Sequence, residues 1–241
     1  MTQGTNTRVV LGYAGTAADV VALRELVGLG TVVVTVTVDV GQAADVEHVR
    51  EQALSNGAAR AHVFDLREEF ARDVVVPALR AGALDTVAGR VSPSSFVERK
   101  LSEVALIEQS ARVDGAESFD ARLDSARSHH GARTLIERPV IDPSNAPDVP
   151  AHVDLCIENG LPVSINGVPM SVAELLESLA LIAGQHGIGR LPHIDAPAAP
   201  IVRAAYDALD GRDGAIRFRL HKGELSMLPA SDPQSVLVNH A

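Results

Sequence analysis

The sequence has 241 residues, 46% of them hydrophobic, which is enough for one large or two small domains with a sizeable core. The formal net charge of −10 and an aromatic content of 3% exclude the basic, stacking surface of a nucleic-acid-binding protein. The single cysteine, Cys156, excludes an internal disulfide and is typical of a cytoplasmic protein, and the absence of a run of about 18 apolar residues predicts no membrane span.

The first predicted element is a short apolar strand over residues 9–11, after a lead-in that lacks the features of a signal peptide. A turn of small residues, 12–16, follows, and apolar residues at helical spacing continue to Leu29. In this arrangement the first helical turn presents unpaired N–H groups and the positive end of the helix dipole to an anion. The turn is therefore a candidate nucleotide site.

The start of this helix also carries the pattern of a self-capped end. Thr16 is followed three residues later by Asp19, which approximates a capping box in which the hydroxyl accepts an N–H and the carboxylate lies in the first turn. A fixed negative charge there repels a triphosphate. Two interpretations stay open, a ligand site and a helix N-cap.

Residues 31–40 are β-branched almost throughout, which is typical of a central strand buried on both faces of a parallel sheet. Ligands of open parallel sheets bind beyond the carboxyl ends of the strands, so the following turn, with Asp39 and Gly41, lies beside the first loop. The alternative is a plain strand-to-helix turn.

Strands and helices continue to alternate, which predicts right-handed βαβ units and a parallel sheet with helices on both faces. We predict, in order, a helix over 45–55 that ends at Asn56 and Gly57, a strand over 61–65, and a helix that begins near Arg67 and that Pro77 should bend or end.

The second half has a different period. Residues 153, 155 and 157 are apolar, and Asn-Gly at 166–167 between alternating runs predicts a hairpin. Ser171 and Glu174 form a capping box for a helix that Gly184 and Gly187 should end. His186 lies at that helix end, where a cation is favoured, so we interpret it as a capping residue rather than a catalytic one. We also predict a helix over 201–209 and a last hairpin that turns at Lys222-Gly223.

The loop Gly12-Tyr-Ala-Gly-Thr-Ala-Ala-Asp-Val20 resembles the pyrophosphate loop of argininosuccinate synthases, Ala-Tyr-Ser-Gly-Gly-Leu-Asp-Thr-Ser in that family. Further matches follow in the family's order at 37–42, 68–70, 90–99, 146–148, 158–163, 166–167, 182–190 and 217–224. The resemblance implies an α/β fold: a doubly wound parallel sheet of the adenine nucleotide α-hydrolase (HUP) type over 1–119, an irregular linker over 120–150, and a smaller α+β domain with hairpins over 151–241.

The resemblance also implies site residues and a cofactor. The family is a carbon–nitrogen ligase that joins citrulline to aspartate with ATP, so ATP with magnesium is the implied cofactor. The implied nucleotide or ligand contacts are Tyr13, Ala14, Gly15, Thr16, Val38, Asp39, Gly41 and Gln42, and the implied substrate contacts are Ser94, Ser95 and Arg99.

The sequence departs from the family at the positions that carry chemistry. Ala14 stands where the family has a phosphate-binding Ser, Thr16 where it has a second Gly, and Phe96 where it has a small residue. Ser95 with Glu98 forms a capping box, which favours a structural role for the serines. The family's Gly-rich segment is missing from 120–149, where His129-His130 lacks the Cys, Asp or Glu spacing of a metal site, so we predict no metal.

These departures predict a family member that has lost ordinary ligation and acts as a small-molecule-binding, regulatory or assembly protein. The alternative is a repurposed enzyme, an ATP-dependent ligase or another activity in specialised metabolism, that uses the same cleft. The expected partners are an amino-acid-like or nucleotide-like small molecule and, because hairpins present edge strands, further copies of the chain.

Overall fold

The computed structural model describes residues 7–42, 45–82, 94–113, 135, 137–191 and 195–229. These residues form two compact units, one drawn from 1–70 and 92–135 and the other from 71–91 and 136–241. The predicted lead-in, the segment around His129-His130 and the first residues of the 90–99 match lie outside the described residues. None of the described helices is long and apolar enough to cross a membrane.

The first unit is built on a four-stranded parallel sheet in the order β3-β2-β1-β4. Its elements are β1 (Arg8–Gly12), α1 (Ala17–Gly28), β2 (Val32–Asp39), α2 (Val46–Ser55), β3 (Arg60–Asp65), a short α3 (Arg67–Phe70), α5 (Ser94–Ile107) and β4 (Ala111–Val113). The predicted doubly wound α/β architecture is confirmed.

Hydrophobic burial explains the layers of this unit. Six consecutive residues of β2 are buried, as expected for a strand covered on both faces. Leu11 of β1, Leu23 of α1 and Ala53 of α2 share one core cluster, so α1 and α2 cover the same face. Lys100 Nζ of α5 lies 5.2 Å from the centroid of the Phe64 ring of β3. This contact places α5 against the face of β3 on which the Phe64 side chain lies.

The helix after β3 is interrupted, as Pro77 predicted. A π-helical turn (Ala71–Val75) separates α3 from α4 (Val76–Arg80), and Pro77 lies in the first turn of α4. Proline has no N–H to donate to the carbonyl four residues earlier, so the hydrogen-bond ladder must change just before it.

The second unit contains a five-stranded antiparallel sheet in the order β7-β6-β5-β8-β9. The strands are β5 (Ala151–Glu158), β6 (Leu161–Ile165), β7 (Val168–Pro169), β8 (Gly214–His221) and β9 (Glu224–Leu228). Asn159, Asn166 and Lys222 each have positive φ and precede a glycine with positive φ, the geometry of tight two-residue hairpins. The predicted hairpins at Asn166-Gly167 and Lys222-Gly223 are confirmed.

Besides α4, the described part of the second unit contains the helices α6 (Val172–Gln185) and α7 (Ala198–Leu209). The predicted capping box of Ser171 and Glu174 opens α6. Of the two glycines predicted to end this helix, Gly187 follows the C-cap with a φ of +77° as expected, whereas the helix runs through Gly184 to Gln185. A Cβ on Gly184 would lie 2.6 Å from the Pro139 carbonyl oxygen, so this glycine permits a close backbone contact within the helix.

Residues 137–150 are irregular apart from one 3₁₀ turn (Pro143–Asn145). They are nevertheless packed into the second unit: Val140 is buried, and its carbonyl accepts a hydrogen bond from Arg190 Nη2 at 2.9 Å. The Val140 N–H donates to Asp195 Oδ2 at 3.3 Å. Residues 137–150 therefore pack against the second unit, although they lack regular secondary structure.

Candidate functional site

The loop between β1 and α1 is held together by one carboxylate. Asp19 Oδ2 accepts the N–H of Ala14 at 2.9 Å and that of Thr16 at 3.2 Å, while Thr16 Oγ1 accepts the N–H of Asp19 at 3.2 Å. The predicted capping box is therefore present. Asp19 is only 3% exposed, so its negative charge is buried beneath the loop.

This arrangement uses the groups that an anion would need. A helix start binds phosphate through backbone N–H groups that have no internal partner. Here the N–H groups of Ala14 and Thr16 already bind a carboxylate of this chain. A phosphate would have to displace that carboxylate, and the negative charge of Asp19 would oppose its approach.

Tyr13 is enclosed by neighbouring strands and by α2. Its N–H donates to the Val36 carbonyl at 2.9 Å, its carbonyl accepts Thr37 Oγ1 at 2.9 Å, and its hydroxyl donates to Gln52 Oε1 at 2.9 Å. Burial, with a smaller contribution from the nearby charge of Asp19, raises the pKa of Tyr13 to about 12. The phenol therefore stays protonated at neutral pH and serves the packing of the loop.

Gly15 brings α2 onto the same loop. Its φ of +80° is the left-handed conformation that glycine adopts without strain. A Cβ at this position would lie 3.0 Å from Val49 Cγ2 and 3.2 Å from Gln52 Oε1. The glycine thus serves close packing against α2, in addition to the turn itself.

The turn after β2 is also satisfied internally. The buried amide of Gln42 folds back, with Oε1 accepting the Val40 N–H and Nε2 donating to the Val38 carbonyl, both at 2.7 Å. Asp39 Oδ1 accepts the Gly41 N–H at 2.8 Å, and Arg67 Nε lies 3.8 Å from Asp39 Oδ2. The four predicted ligand contacts at this turn therefore form a closed network.

Leu135 covers this turn. Its side chain is fully buried, and a Cβ on Gly41 would lie 2.9 Å from Leu135 Cδ1. An apolar side chain thus occupies the surface of Gly41 at the carboxyl end of β2, where the fold class places its ligands.

The predicted substrate contacts lie at the start of α5. The helix begins at Ser94, so Ser95 is inside the first turn and the prediction that it is the N-cap is wrong. Phe96 is buried and packs on Phe70 with ring centroids 6.1 Å apart, as expected of a residue that fills space. The Arg99 guanidinium lies over the Phe96 ring, 5.0 Å from its centroid, and the residue is exposed. Arg99 is thus held by a cation–π contact.

The structure brings only some of these candidates together. The hydrogen bonds of Tyr13 to β2 place the first loop beside the strand that ends at Asp39. Among the described residues, no hydrogen bond or ion pair joins Arg99 to either loop. Nor do the described parts of the chain contain a group of three or more His, Cys, Asp or Glu residues that could hold a metal ion.

Sequence reasoning missed an ionic cluster at the opposite, amino-terminal edge of this sheet. Buried Glu108, which follows α5, lies 3.4 Å from Arg8 Nη1, 3.1 Å from Arg60 Nη1 and 3.2 Å from His62 Nε2. Burial alone would raise the pKa of Glu108, but hydrogen bonds from His62 and Arg60 together lower it. The partners are 100, 48 and 46 residues away, so no local pattern could have revealed them.

Two family models match the chain. The model described as "Arginosuccinate synthase N-terminal HUP domain" matches residues 8–118, and the one described as "Arginosuccinate synthase C-terminal domain" matches residues 135–208.

Curated relatives named argininosuccinate synthase agree with this. The protein from Pyrococcus furiosus is 31% identical over 78% of this chain and 62% of its own length. Proteins from Streptococcus suis and Nitratidesulfovibrio vulgaris (strain Hildenborough) are 28% and 30% identical, over 79% and 78% of this chain and 65% of theirs. The chain therefore spans about 62 to 65% of the length of these relatives.

Proposed function

This chain belongs to the argininosuccinate synthase family, and we propose that it is a divergent member that no longer joins citrulline to aspartate with ATP. In its place we propose a role as a small-molecule-binding, regulatory or assembly protein. The observation that supports the loss most directly is the Asp19 carboxylate, which accepts the loop N–H groups of Ala14 and Thr16.

The ligation places large demands on phosphate binding. In the reaction that the family resemblance implies, ATP first adenylates citrulline, and the amino group of aspartate then displaces AMP. Such chemistry depends on positioning and on groups that stabilise phosphate charge. Losing one electrostatic donor typically costs on the order of 100-fold to 1000-fold in rate. This loop has lost a hydroxyl at Ala14, and two of its N–H groups bind Asp19.

The turn after β2 supports the same proposal. The Gln42 amide and the Asp39 carboxylate bind their own backbone, and Leu135 packs on Gly41. A nucleotide at this edge would have to displace an apolar side chain and break several hydrogen bonds of the folded chain. Each break leaves a buried polar group unpaired unless the ligand replaces its partner.

The test is an assay of the complete reaction. The protein is incubated with ATP, magnesium, citrulline and aspartate, and release of pyrophosphate and AMP is measured beside the Pyrococcus furiosus relative. We expect turnover at least about 1000-fold below that of the relative, since several losses coincide. Turnover within about tenfold of the relative would contradict the proposal.

One alternative is an outcome of the same assay. Release of AMP or ADP that needs neither citrulline nor aspartate would favour a different ATP-dependent reaction in the same cleft. In that case Arg99→Ala should lower the new activity, because an exposed guanidinium can bind carboxylate or phosphate. Unchanged activity in that variant would remove Arg99 from the site.

We also propose that the protein self-associates and resides in the cytoplasm. β9 (Glu224–Leu228) is the last strand in the order of its sheet, and an edge strand offers unpaired backbone groups to a second copy. The free, half-buried Cys156 suits a reducing compartment. Light scattering during gel filtration should give a multiple of the 25.3 kDa chain mass, and a monomer at micromolar concentration would refute self-association.

A further inference from the structure

Three asparagine residues of the chain, at positions 56, 159 and 166, are each followed directly by glycine. An asparagine side-chain amide is most easily attacked by the next backbone nitrogen when that nitrogen belongs to glycine, because glycine has no Cβ to hinder the approach. The attack needs a side-chain amide that can turn and a glycine N–H that is not already hydrogen-bonded. The three pairs differ in both respects.

The pair at Asn56 is restrained at every group that the attack would use. Asn56 Oδ1 accepts Arg24 Nε at 2.8 Å, and Asn56 Nδ2 donates to the Gln52 carbonyl at 2.7 Å. The N–H of Gly57 donates to the Leu54 carbonyl at 3.1 Å. All three bonds would have to break before the glycine nitrogen could reach the side-chain carbon.

The side chain of Asn166 is also held, although the residue is exposed. Its Oδ1 accepts the N–H of Asp154 at 2.7 Å, and its Nδ2 donates to the His152 carbonyl at 3.4 Å. The amide thus ties its turn to the neighbouring strand β5. Turning this amide would leave backbone groups of β5 without their partners, which costs free energy.

Asn159 lies in the two-residue turn between β5 and β6 and is exposed. Its backbone N–H donates to Asp213 Oδ1 at 2.8 Å, but among the described residues no hydrogen bond holds its side-chain amide. The N–H of Gly160 likewise has no acceptor within the described part of the chain. Gly160 is held through its carbonyl instead, which accepts the Tyr206 hydroxyl at 2.8 Å. This pair alone of the three combines an amide and a glycine nitrogen that no other described residue engages.

We propose that Asn159 is a site of spontaneous deamidation in the folded protein. The nitrogen of Gly160 bonds to the side-chain carbonyl carbon of Asn159, and the amide group leaves as ammonia with the proton of that nitrogen, which closes a five-membered imide. Water then adds to one of the two imide carbonyls and breaks its bond to the nitrogen. Opening at the side-chain carbonyl gives aspartate, and opening at the backbone carbonyl gives isoaspartate. No electrons are transferred, and water is the only co-reactant.

Both products change the turn between β5 and β6. Each adds a carboxylate beside Glu158 and beside Asp213, which accepts the N–H of residue 159, so like charges repel one another there. Isoaspartate also adds a methylene to the backbone of a two-residue turn, whose length fixes the register of the two strands. The modification therefore gives the chain one more negative charge and a weaker hairpin. It does not depend on the proposed loss of ligation.

The test compares all three pairs in one molecule. The purified full chain is incubated at mildly alkaline pH, once folded and once unfolded in guanidinium chloride, and peptide mass spectrometry follows conversion at residues 56, 159 and 166. Dividing the folded rate by the unfolded rate removes the effect of local sequence at each position. We expect this ratio to be at least about tenfold higher at Asn159 than at Asn56 or Asn166, because the hydrogen bonds of the other two must break first. A ratio at Asn159 that does not exceed both of the others would overturn the proposal.

Two variants test the assignment and its cause. Asn159→Gln should remove the first acidic species that isoelectric focusing of the aged, folded chain reveals, because glutamine would have to close a less favourable six-membered ring. Arg24→Ala removes one hydrogen bond of Asn56 and should speed conversion there about two- to tenfold, while the rate at Asn159 stays unchanged. Persistence of the acidic species in Asn159→Gln, or an unchanged rate at Asn56 in Arg24→Ala, would contradict the proposal.

Discussion

At the residue scale, Asp19 links the sequence to the proposed loss of function. Its position three residues after Thr16 was enough to predict the capping box, because capping depends on local spacing. The second bond, to the N–H of Ala14, was not predictable, because it depends on how the loop folds back over the helix start.

Asp19→Ala should lower the free energy of unfolding by about 1 to 2 kcal/mol, because it removes the cap and leaves the N–H groups of Ala14 and Thr16 without their acceptor. The control is Glu25→Ala on the exposed side of the same helix, which should change stability by less than about 0.5 kcal/mol. Urea denaturation measures both. Equal stability of the two variants would mean that the carboxylate does not hold the loop.

His186 occupies the C-cap position that was predicted for it, but its burial disfavours a positive charge there. As the C-cap of α6 it was expected to act as a cation, but it is 8% exposed, and burial, followed by the neighbouring charge of His221, lowers its pKa below the ordinary 6.5. The neutral ring is therefore favoured in the fold. The charge of a helix-end histidine depends on its burial, which local sequence does not reveal.

This burial makes stability depend on pH. Because the folded-state pKa of His186 is lowered, the unfolded chain takes up the proton first, so the free energy of unfolding should fall as pH drops below about 6.5. His186→Gln should reduce this slope between pH 7 and 5, because it removes the buried group that takes up the proton only on unfolding. Thermal unfolding across this range measures the slope. A slope that is the same with and without His186 would rule out the effect.

At the element scale, the ends of several helices were predictable because capping residues and glycines act through their immediate neighbours in the sequence. Asp45 caps α2, and Asn56-Gly57 follow its last residue, as predicted. The prediction that Gly184 ends α6 was wrong, because a glycine near the end of a helix can either terminate it or permit a close contact with another segment. The structure shows that the Pro139 carbonyl oxygen lies too close to Gly184 for any residue with a Cβ.

Two helical glycines should respond oppositely to alanine. Gly184→Ala places a Cβ 2.6 Å from the Pro139 oxygen and should destabilise the protein by about 1 to 3 kcal/mol. Gly28→Ala, with no atom within 4 Å of the new Cβ, should stabilise it by up to about 1 kcal/mol through helix propensity. Denaturation midpoints of the two variants test this. A stabilising Gly184→Ala would contradict the contact.

We expect the buried carboxylate of Glu108 to stabilise the amino-terminal edge of the parallel sheet through its ion pairs. Because the pKa of this carboxyl is lowered in the fold, its contribution is present above its ordinary value of 4.5 and is lost as pH falls through the folded value. Glu108→Gln should cost about 1 to 2 kcal/mol at pH 7 and make the acid limb of stability shallower. Glu103→Gln, which breaks an exposed pair with Lys100, should cost less than about 0.5 kcal/mol. An equal loss of unfolding free energy in the two variants at pH 7 would show that the buried ion pairs of Glu108 do not stabilise the fold more than an exposed pair does.

At the scale of the whole molecule, the fold class was predictable because its signals are repeated: β-branched strands, helices between them, and two tight hairpins. The distribution of polar partners was not. Glu108 binds residues from three distant parts of the first unit, and Leu135 reaches Gly41 from 94 positions along the chain. Such pairings depend on tertiary packing, which periodicity does not encode.

We infer that the start of α1 binds its own carboxylate instead of a nucleotide. Titration calorimetry of the intact chain with ATP and magnesium tests it most directly, with the Pyrococcus furiosus relative as the positive control. We expect no saturable heat at ATP concentrations up to about 1 mM, which corresponds to a binding free energy weaker than about −4 kcal/mol. Saturable binding of ATP by the intact chain at micromolar concentration would show instead that the start of α1 still holds a nucleotide.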